Sequence, residues 1–290
     1  MKISRSDKII YRLFTLPAVL LFTVFVIAPL ILCVIYSFTD YTVGKAASFV
    51  GIKNYIEVFQ DEIVLESIGF TLLFAGITTV VITVLALILA ILFTRDSYTG
   101  KLQRALFYFP SCISLMVAGY AWRNLMASDA SGLINRILSV FGLGPVGWLS
   151  DPLWAKVGVI IVAVWIDLGW CATLFYAYIQ SIDASFYEVA RLEGANAFQK
   201  ARYVTIPMIW PSIVINLMLL LSQGLKVYEI PQSLTKGGPM TSTYTVTHAI
   251  LVRGVTEWDF GVASATGVLV FLLTTVLCMI QMRLTEGKED

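Results

Sequence analysis

Charge is what this 290-residue chain has least of. Only 13% of its residues are Asp, Glu, Lys or Arg, against roughly a quarter in an ordinary soluble domain, while 58% are hydrophobic and the mean hydropathy is +0.82. That balance excludes a soluble globular enzyme and defines a polytopic membrane protein. The net charge of +1 argues for neither nucleic acid nor a strongly charged surface partner. Histidine is nearly absent: His248 stands alone, so a metal site or general base built on it would lack partners, and a surface or packing role is expected. Cys33, Cys112, Cys171 and Cys278 fall in apolar runs without short metal-ligand spacing and read as buried free thiols. No G-x-x-x-x-G-K-[ST] phosphate cradle is present, since Gly44-Lys45 and Gly100-Lys101 lack the second glycine and the hydroxyl residue. No catalytic residue, metal or cofactor is therefore expected in this chain.

What the chain has in plenty is apolar runs. Crossing a bilayer takes about 20 residues, and six stretches qualify: about 13–37, 67–93, 105–126, 157–179, 206–225 and 260–282. The first has neither the short apolar core nor the small-residue cleavage site of a signal peptide, so it is expected to stay as helix one. Pro110, Trp122 and Arg123 mark the ends of the third run as interfacial. Between runs three and four, the piece GLINRILSVFGLG reads as a short amphipathic helix along the membrane surface. Pro239 with Gly237 and Gly238 reads as a turn. The expected fold is all-α with six transmembrane helices and no second domain. With the amino terminus inside, the inner segments hold twelve of the 20 Lys and Arg, among them Lys2, Arg95, Arg104, Arg191, Lys200, Arg202, Arg283 and Lys288. The positive-inside rule thus places both termini in the cytoplasm.

Between runs four and five lies a polar insert, Ser185 to Pro211, SFYEVARLEGANAFQKARYVTIPMIWP. Ser185 followed by Glu188 has the spacing of a capping box, so a helix is expected to begin there. Gly194 interrupts it before Pro207 opens the next run. A nearly continuous helix would gather Ala190, Gly194, Ala197 and Ala201 on one smooth face. That face could receive another protein or pack on the chain's own helices.

Inside the spans, Asp167 is the one deep acid, which by default marks function, with Trp165 and Trp170 beside it. Ser222, Gln223, Lys226, Tyr228 and Glu229 gather near the far end of run five. Aromatic rings with hydrogen-bonding groups suit a sugar cavity. Asp167 could equally pair with Lys226, and the tryptophans could face lipid or neighbouring helices.

Glu188, Ala190, Glu193, Gly194, Ala195, Thr205, Pro207 and Pro211 stand as in the cytoplasmic EAA loop of permease subunits of bacterial ATP-binding-cassette importers, with Val189, Val204 and Ile206 as conservative swaps. The strings VAGYAWRNLMASDASGLINRIL, GWLSDP, LTKGGPMTST and WDFGVASATGVLVFLL, in this order, resemble the carbohydrate branch, maltose-type and glycerol-3-phosphate-type. The resemblance implies one permease domain over 1–290 in the bacterial cell membrane, with 185–205 as a cytoplasmic coupling loop. Glu188, Ala190, Gly194 and Ala195 would meet a cytoplasmic ATPase dimer, although Glu188 could also cap its own helix. ATP and Mg would bind that ATPase. It further implies a second permease subunit, an extracytoplasmic sugar-binding protein, membrane lipid, and inward movement of a sugar, an oligosaccharide by default, by alternating access. The rival readings are a glycerol-3-phosphate-type substrate and, in another class, an ATP-independent secondary carrier.

Overall fold

The computed structural model describes residues 5–45, 47–94, 100–129 and 131–286, so Lys2, Arg95 and Lys288, invoked above for orientation, lie outside the described residues. In chain order the helices are α1 (Arg5–Phe22), α2 (Ala28–Tyr36), α3 (Lys53–Gln60), α4 (Glu62–Phe93), α5 (Gly100–Tyr108), α6 (Leu115–Leu125), α7 (Leu133–Val140) and α8 (Pro152–Gln180). They continue as α9 (Ala184–Leu192), α10 (Ala197–Lys200), α11 (Ile206–Met208), α12 (Trp210–Gly224), α13 (Glu229–Leu234), α14 (Val246–Leu251) and α15 (Phe260–Glu286). Among the described residues four helical stretches are long and apolar enough to cross a membrane, Leu13–Tyr36, Glu62–Phe93, Pro152–Gln180 and Phe260–Arg283, and two bent pairs raise the number to six if each pair is one span.

The bends are where the structure departs from a reading by hydropathy alone. Over 105–126 the chain is not one rod: Gly100–Cys112 and Leu115–Leu125 meet at 100°. Pro110 sits in the tight 3-10 turn Phe109–Cys112, whose missing N–H and fixed φ end α5. Around 206–225, Ala197–Met208 and Trp210–Gly224 meet at 72°. Pro207 and Pro211 bracket the break at Ile209. The helices over the second and fourth runs also begin earlier than the apolar residues suggest, at Glu62 and Pro152. Asp151 explains the latter: its Oδ1 accepts from the Leu153 and Trp154 backbone N–H groups, an N-cap with Pro152 at the first turn.

The chain divides into two compact units, residues 1–62 with 250–272, and residues 63–249 with 273–290. In the first unit, Asn54 is buried and its amide donates to the Ser37 and Thr39 carbonyls. Arg253 binds Asp61 and donates to Glu257 at 2.8 Å. Gly261 lets α15 approach the Thr39 carbonyl, which a Cβ would overlap. The apolar side chains from Leu13 to Leu32 are exposed in the chain by itself.

The second unit is built on α4 and α8, which run through two buried clusters. One joins Phe70 and Phe74 of α4, Val159, Val162 and Ile166 of α8, Ala118 of α6, and Ile230 and Leu234 of α13. The other joins Ile82, Ala86 and Phe93 of α4, Cys171 and Phe175 of α8, and Ile213 and Leu220 of α12. Three side-chain hydroxyls of α4 are satisfied within the helix: Ser67, Thr71 and Thr78 donate to the Ile63, Ser67 and Phe74 carbonyls, whereas those of Thr79 and Thr83 are buried without a partner. Small residues set the closest approaches. A Cβ on Gly224 of α12 would lie 2.8 Å from Ala75 Cα of α4, and one on Gly169 of α8 would overlap the Phe107 carbonyl of α5. Asn135, on the short amphipathic helix α7, is buried and ties the surrounding loop: it accepts from Val146 N and Trp148 Nε1 and donates to the Ala127 and Val146 carbonyls. The cysteines are all free, but only Cys171 is buried; Cys112 is exposed, and Cys33 and Cys278 are half-buried. An apolar run does not by itself say which face of a helix is turned inward.

Candidate functional site

The insert folds as two capped helical pieces joined by a sharp turn. Its first helix is capped by Asp183, not by a Ser185–Glu188 box: the Asp183 carboxylate accepts from the Ser185 backbone N–H at 2.9 Å, and α9 starts at Ala184. That bond holds the Asp183 carboxyl below the usual carboxylate range. At the other end, Ala195 N donates to the Ala190 carbonyl and Gly194 N to the Arg191 carbonyl, with Gly194 at φ +75°. This is a Schellman closure, in which the left-handed residue is a glycine because a Cβ there is strained. Asn196 and Gln199 then form a reciprocal capping box that opens α10, at 2.9 and 2.8 Å. Tyr187 Oη meets Thr205 Oγ1 at 3.0 Å and fixes α9 against the chain leading into α12.

Ala190, Gly194, Ala197 and Ala201 therefore do not share the face of one continuous helix, because the chain turns at Gly194. What α9 presents instead is apolar. Phe186, Val189 and Leu192, three residues apart, are 49%, 58% and 88% exposed, and Phe198 beyond the turn is 76% exposed. Glu188 and Gly194 are exposed as well, Ala190 and Ala195 half-buried. Behind this surface lies a cavity of about 600 Å³ between the ends of α4 and α8, lined by Thr94, Gln180, Tyr187, Glu188, Arg191 and Lys200 among others. Spacing alone marked the small residues; the exposed stripe could have been found from Phe186, Val189 and Leu192 at intervals of three.

The residues proposed for a sugar cavity do not form one cluster. Asp167 lies on α8 between the two buried clusters, half-buried, with no ion pair to Lys226 or any other described residue. Its neighbours diverge. Trp165 packs into the first cluster, edge-on to Trp122 at 5.4 Å, and Trp170 packs into the second. Trp122, read above as an interfacial marker, packs against the first cluster. The turn after α5 rests on this same stretch, where Ser111 Oγ donates to the Ile166 carbonyl. Ser222 is half-buried on α12, whereas Gln223 and Lys226 are exposed. Glu229 opens α13, and its carbonyl accepts from Ser233 Oγ.

Tyr228 leads to a feature the sequence did not mark. His248 is 4% exposed, its ring 4.6 Å from that of Tyr228 and 5.2 Å from that of Tyr244. Its Nδ1 lies 2.9 Å from Thr245 Oγ1 and its Nε2 3.0 Å from Gln232 Oε1. Burial pushes the imidazole down to about 4. Thr245 donates to the Val227 carbonyl, and Val246 N donates to Thr71 Oγ1 of α4, so this histidine locks the segment after α12 onto the long helices.

A membrane chain of bent spans, with an exposed helical insert between the fourth and fifth, is the arrangement of a transport-system permease. The chain belongs to the family described as binding-protein-dependent transport system inner membrane component, whose model matches residues 82–288. It is a multi-pass inner-membrane transport component rather than an enzyme. The chain is 33% identical over 279 residues, 96% of its own length and 94% of the other's, to AmyD of Thermoanaerobacterium thermosulfurigenes, described as a probable starch degradation products transport system permease. It is 28% identical to MalF of Thermococcus litoralis, a trehalose/maltose transport system permease, over 99% of this chain and 96% of that protein. In fold it resembles a chain of a bacterial alginate ABC transporter solved with its alginate pentasaccharide-bound periplasmic protein. The TM-score there is 0.84 at 24% identity, over 96% of this chain and 93% of that one.

Proposed function

We propose that this chain is the membrane-spanning permease subunit of an ABC importer that moves a sugar inward, an oligosaccharide by preference, by alternating access driven by a separate ATPase. In this reading both termini and the insert are cytoplasmic, and the spans are those at about 13–37, 67–93, 105–126, 157–179, 206–225 and 260–282. The partners are a second permease subunit, an ATPase dimer that holds ATP and Mg, and an extracytoplasmic sugar-binding protein.

The observation that carries the reading is the stripe of Phe186, Val189 and Leu192 on α9. Apolar side chains at this exposure, on a short helix rigidly capped at both ends, support a protein partner. Glu188 beside the stripe adds a polar contact, Ala190 and Ala195 allow close approach, and Gly194 sets the turn. A sugar as cargo is supported by the named substrates of AmyD and MalF, which are saccharides or their degradation products. Closing of the ATPase dimer would move α9, and through the Tyr187–Thr205 bond the break before α12.

The test is to purify the tagged chain from its native membrane in mild detergent, beside Leu192→Asp and Gly194→Asp. The parent chain is expected to bring down a second permease and an ATPase. Leu192 is 88% exposed, so its substitution is expected to leave the fold intact and to weaken ATPase capture by roughly thirtyfold, the loss of one interface hot spot. A chain that purifies alone and transports in proteoliposomes without ATP would make a secondary carrier the better account.

A further inference from the structure

At the opposite end of α4 and α8 from the insert lies a second cavity, of about 410 Å³. Twenty-one residues of helix, from Phe70 to Ile91, separate its lining from that of the first, about 32 Å at 1.5 Å per residue. Its volume falls in the range of about 300–1,000 Å³ typical of small-molecule sites.

The lining follows from helical periodicity. Glu66, Gly69 and Phe70 share one face of α4, and Pro152 and Lys156 share one face of the first turns of α8. The loop Pro239 to Ser242 closes the third side, with Met240 91% exposed at the rim. Gly69 keeps the floor open, since a Cβ there would meet nothing within 4 Å. The polar groups are only partly engaged. Thr241 Oγ1 donates to Glu66 Oε2 at 3.1 Å, which leaves Oε1 available. Lys156 Nζ stands 5.9 Å over the Phe70 ring and makes no ion pair among the described residues. The Ser242 hydroxyl is buried without a partner.

One carboxylate and one ammonium that do not neutralise each other, the Thr241 hydroxyl, and the apolar surfaces of Phe70, Pro152, Pro239 and Met240 converge on one space. Glu66 and Lys156 offer an acceptor and a donor to adjacent hydroxyl groups, and the apolar groups face ring C–H. The balanced charge disfavours an ionic ligand. We propose that this cavity is a reception site for a neutral saccharide, separate from Asp167 and from the polar end of α12, occupied before the sugar enters the spans. It rests on the importer reading, which puts this end of α4 and α8 outside the cell.

The experiment uses the complex as it co-purifies from native membrane, in lipid nanodiscs. Saturation-transfer NMR is recorded with maltose, lactose, trehalose and maltotriose on the parent, on the double variant Glu66→Gln/Lys156→Met, and on Gly69→Phe, which fills the cavity from its open floor. Thermal midpoints are recorded alongside. At least one sugar is expected to show transfer in the parent, and its signal to fall about fivefold in either variant, the loss of one or two hydrogen bonds, at an unchanged midpoint. Undiminished transfer in both variants would put the sugar elsewhere and overturn the inference while leaving the importer intact. So would the absence of transfer from a parent complex that still carries its ATPase. A parent complex without an ATPase would instead remove the importer reading itself.

Discussion

Gly169 and Gly76 are both glycines in the middle of long apolar helices, and the structure gives them opposite meanings. A Cβ on Gly169 would overlap the Phe107 carbonyl, an obstacle of backbone that cannot rotate away, whereas one on Gly76 would meet nothing within 4 Å. Gly169→Ala is therefore expected to destabilise the protein by about 1–3 kcal/mol, the ordinary range for overpacking. Gly76→Ala is expected to stabilise it by up to about 1 kcal/mol through helix propensity. Thermal melts of the two variants in detergent check the pair, and a similar shift for both would refute the close contact of α5 on α8. Nothing in the sequence separates these two positions, because the distinction comes from a neighbour 62 residues away in the chain. The turn at Gly194, in contrast, was legible. A glycine after a polar helix, followed by Asn196 and Gln199, carries its own local reason.

At the scale of elements, the same contrast separates caps from bends. The cap of α9 was assigned to Ser185 because Ser followed by Glu at three residues is a good local signal, yet Asp183, two residues earlier, takes the role. Both choices satisfy local rules, and the geometry of the chain leaving α8 decides. The break at 100° after α5 had a visible cause in Pro110, but the contacts on either side of it, of Ser111 with Ile166 and of Gly119 with Ser233, come from segments distant in the chain. The segment after α12 carries a prediction of its own. His248 is buried neutral, its imidazole pushed down to about 4 from an ordinary 6.5. Between those values the unfolded chain binds a proton that the folded one does not, so stability is present above about pH 6.5 and is lost as pH falls toward 4. Asp183 and Asp129, whose carboxyls are held low by hydrogen bonds to Ser185 and Ser131, lose their contributions only below the ordinary carboxylate value of 3.8. Tryptophan-monitored melts from pH 7.5 to 4.5 are thus expected to show a falling midpoint that flattens in His248→Gln. An equal slope in that variant would remove the histidine as the cause.

For the whole molecule, the informative position is Asp167, halfway along α8 and between the two buried clusters. Both clusters contain α4 and α8. The first adds α6 and α13, the second α12, and the two meet at the level of Asp167, where Trp165 and Ile166 belong to the first and Val164, Leu168 and Trp170 to the second. A carboxylate held there without an ion pair is costly unless it meets water, cargo or a partner in some state of the cycle. The alternating access proposed above requires a level in the membrane that is open to each side in turn, and the seam where the two clusters meet is where one can move against the other without either core being broken. The sequence pointed to this acid by its rarity, but not to the division of Trp165 and Trp170 between clusters, because adjacent helix positions face in different directions only once their neighbours are known. Asp167→Asn keeps the shape and removes the charge. In the purified complex it is expected to lower sugar uptake by roughly tenfold or more, the effect of losing one charged hydrogen bond in a dry site, while the amount of ATPase recovered with the chain stays the same. The kinetic split then locates the role. A raised KM at constant maximal rate would assign Asp167 to binding of the sugar, and a lowered maximal rate at constant KM to the movement that carries it. Normal uptake together with a higher thermal midpoint would show instead that the carboxylate is only a buried charge the fold tolerates.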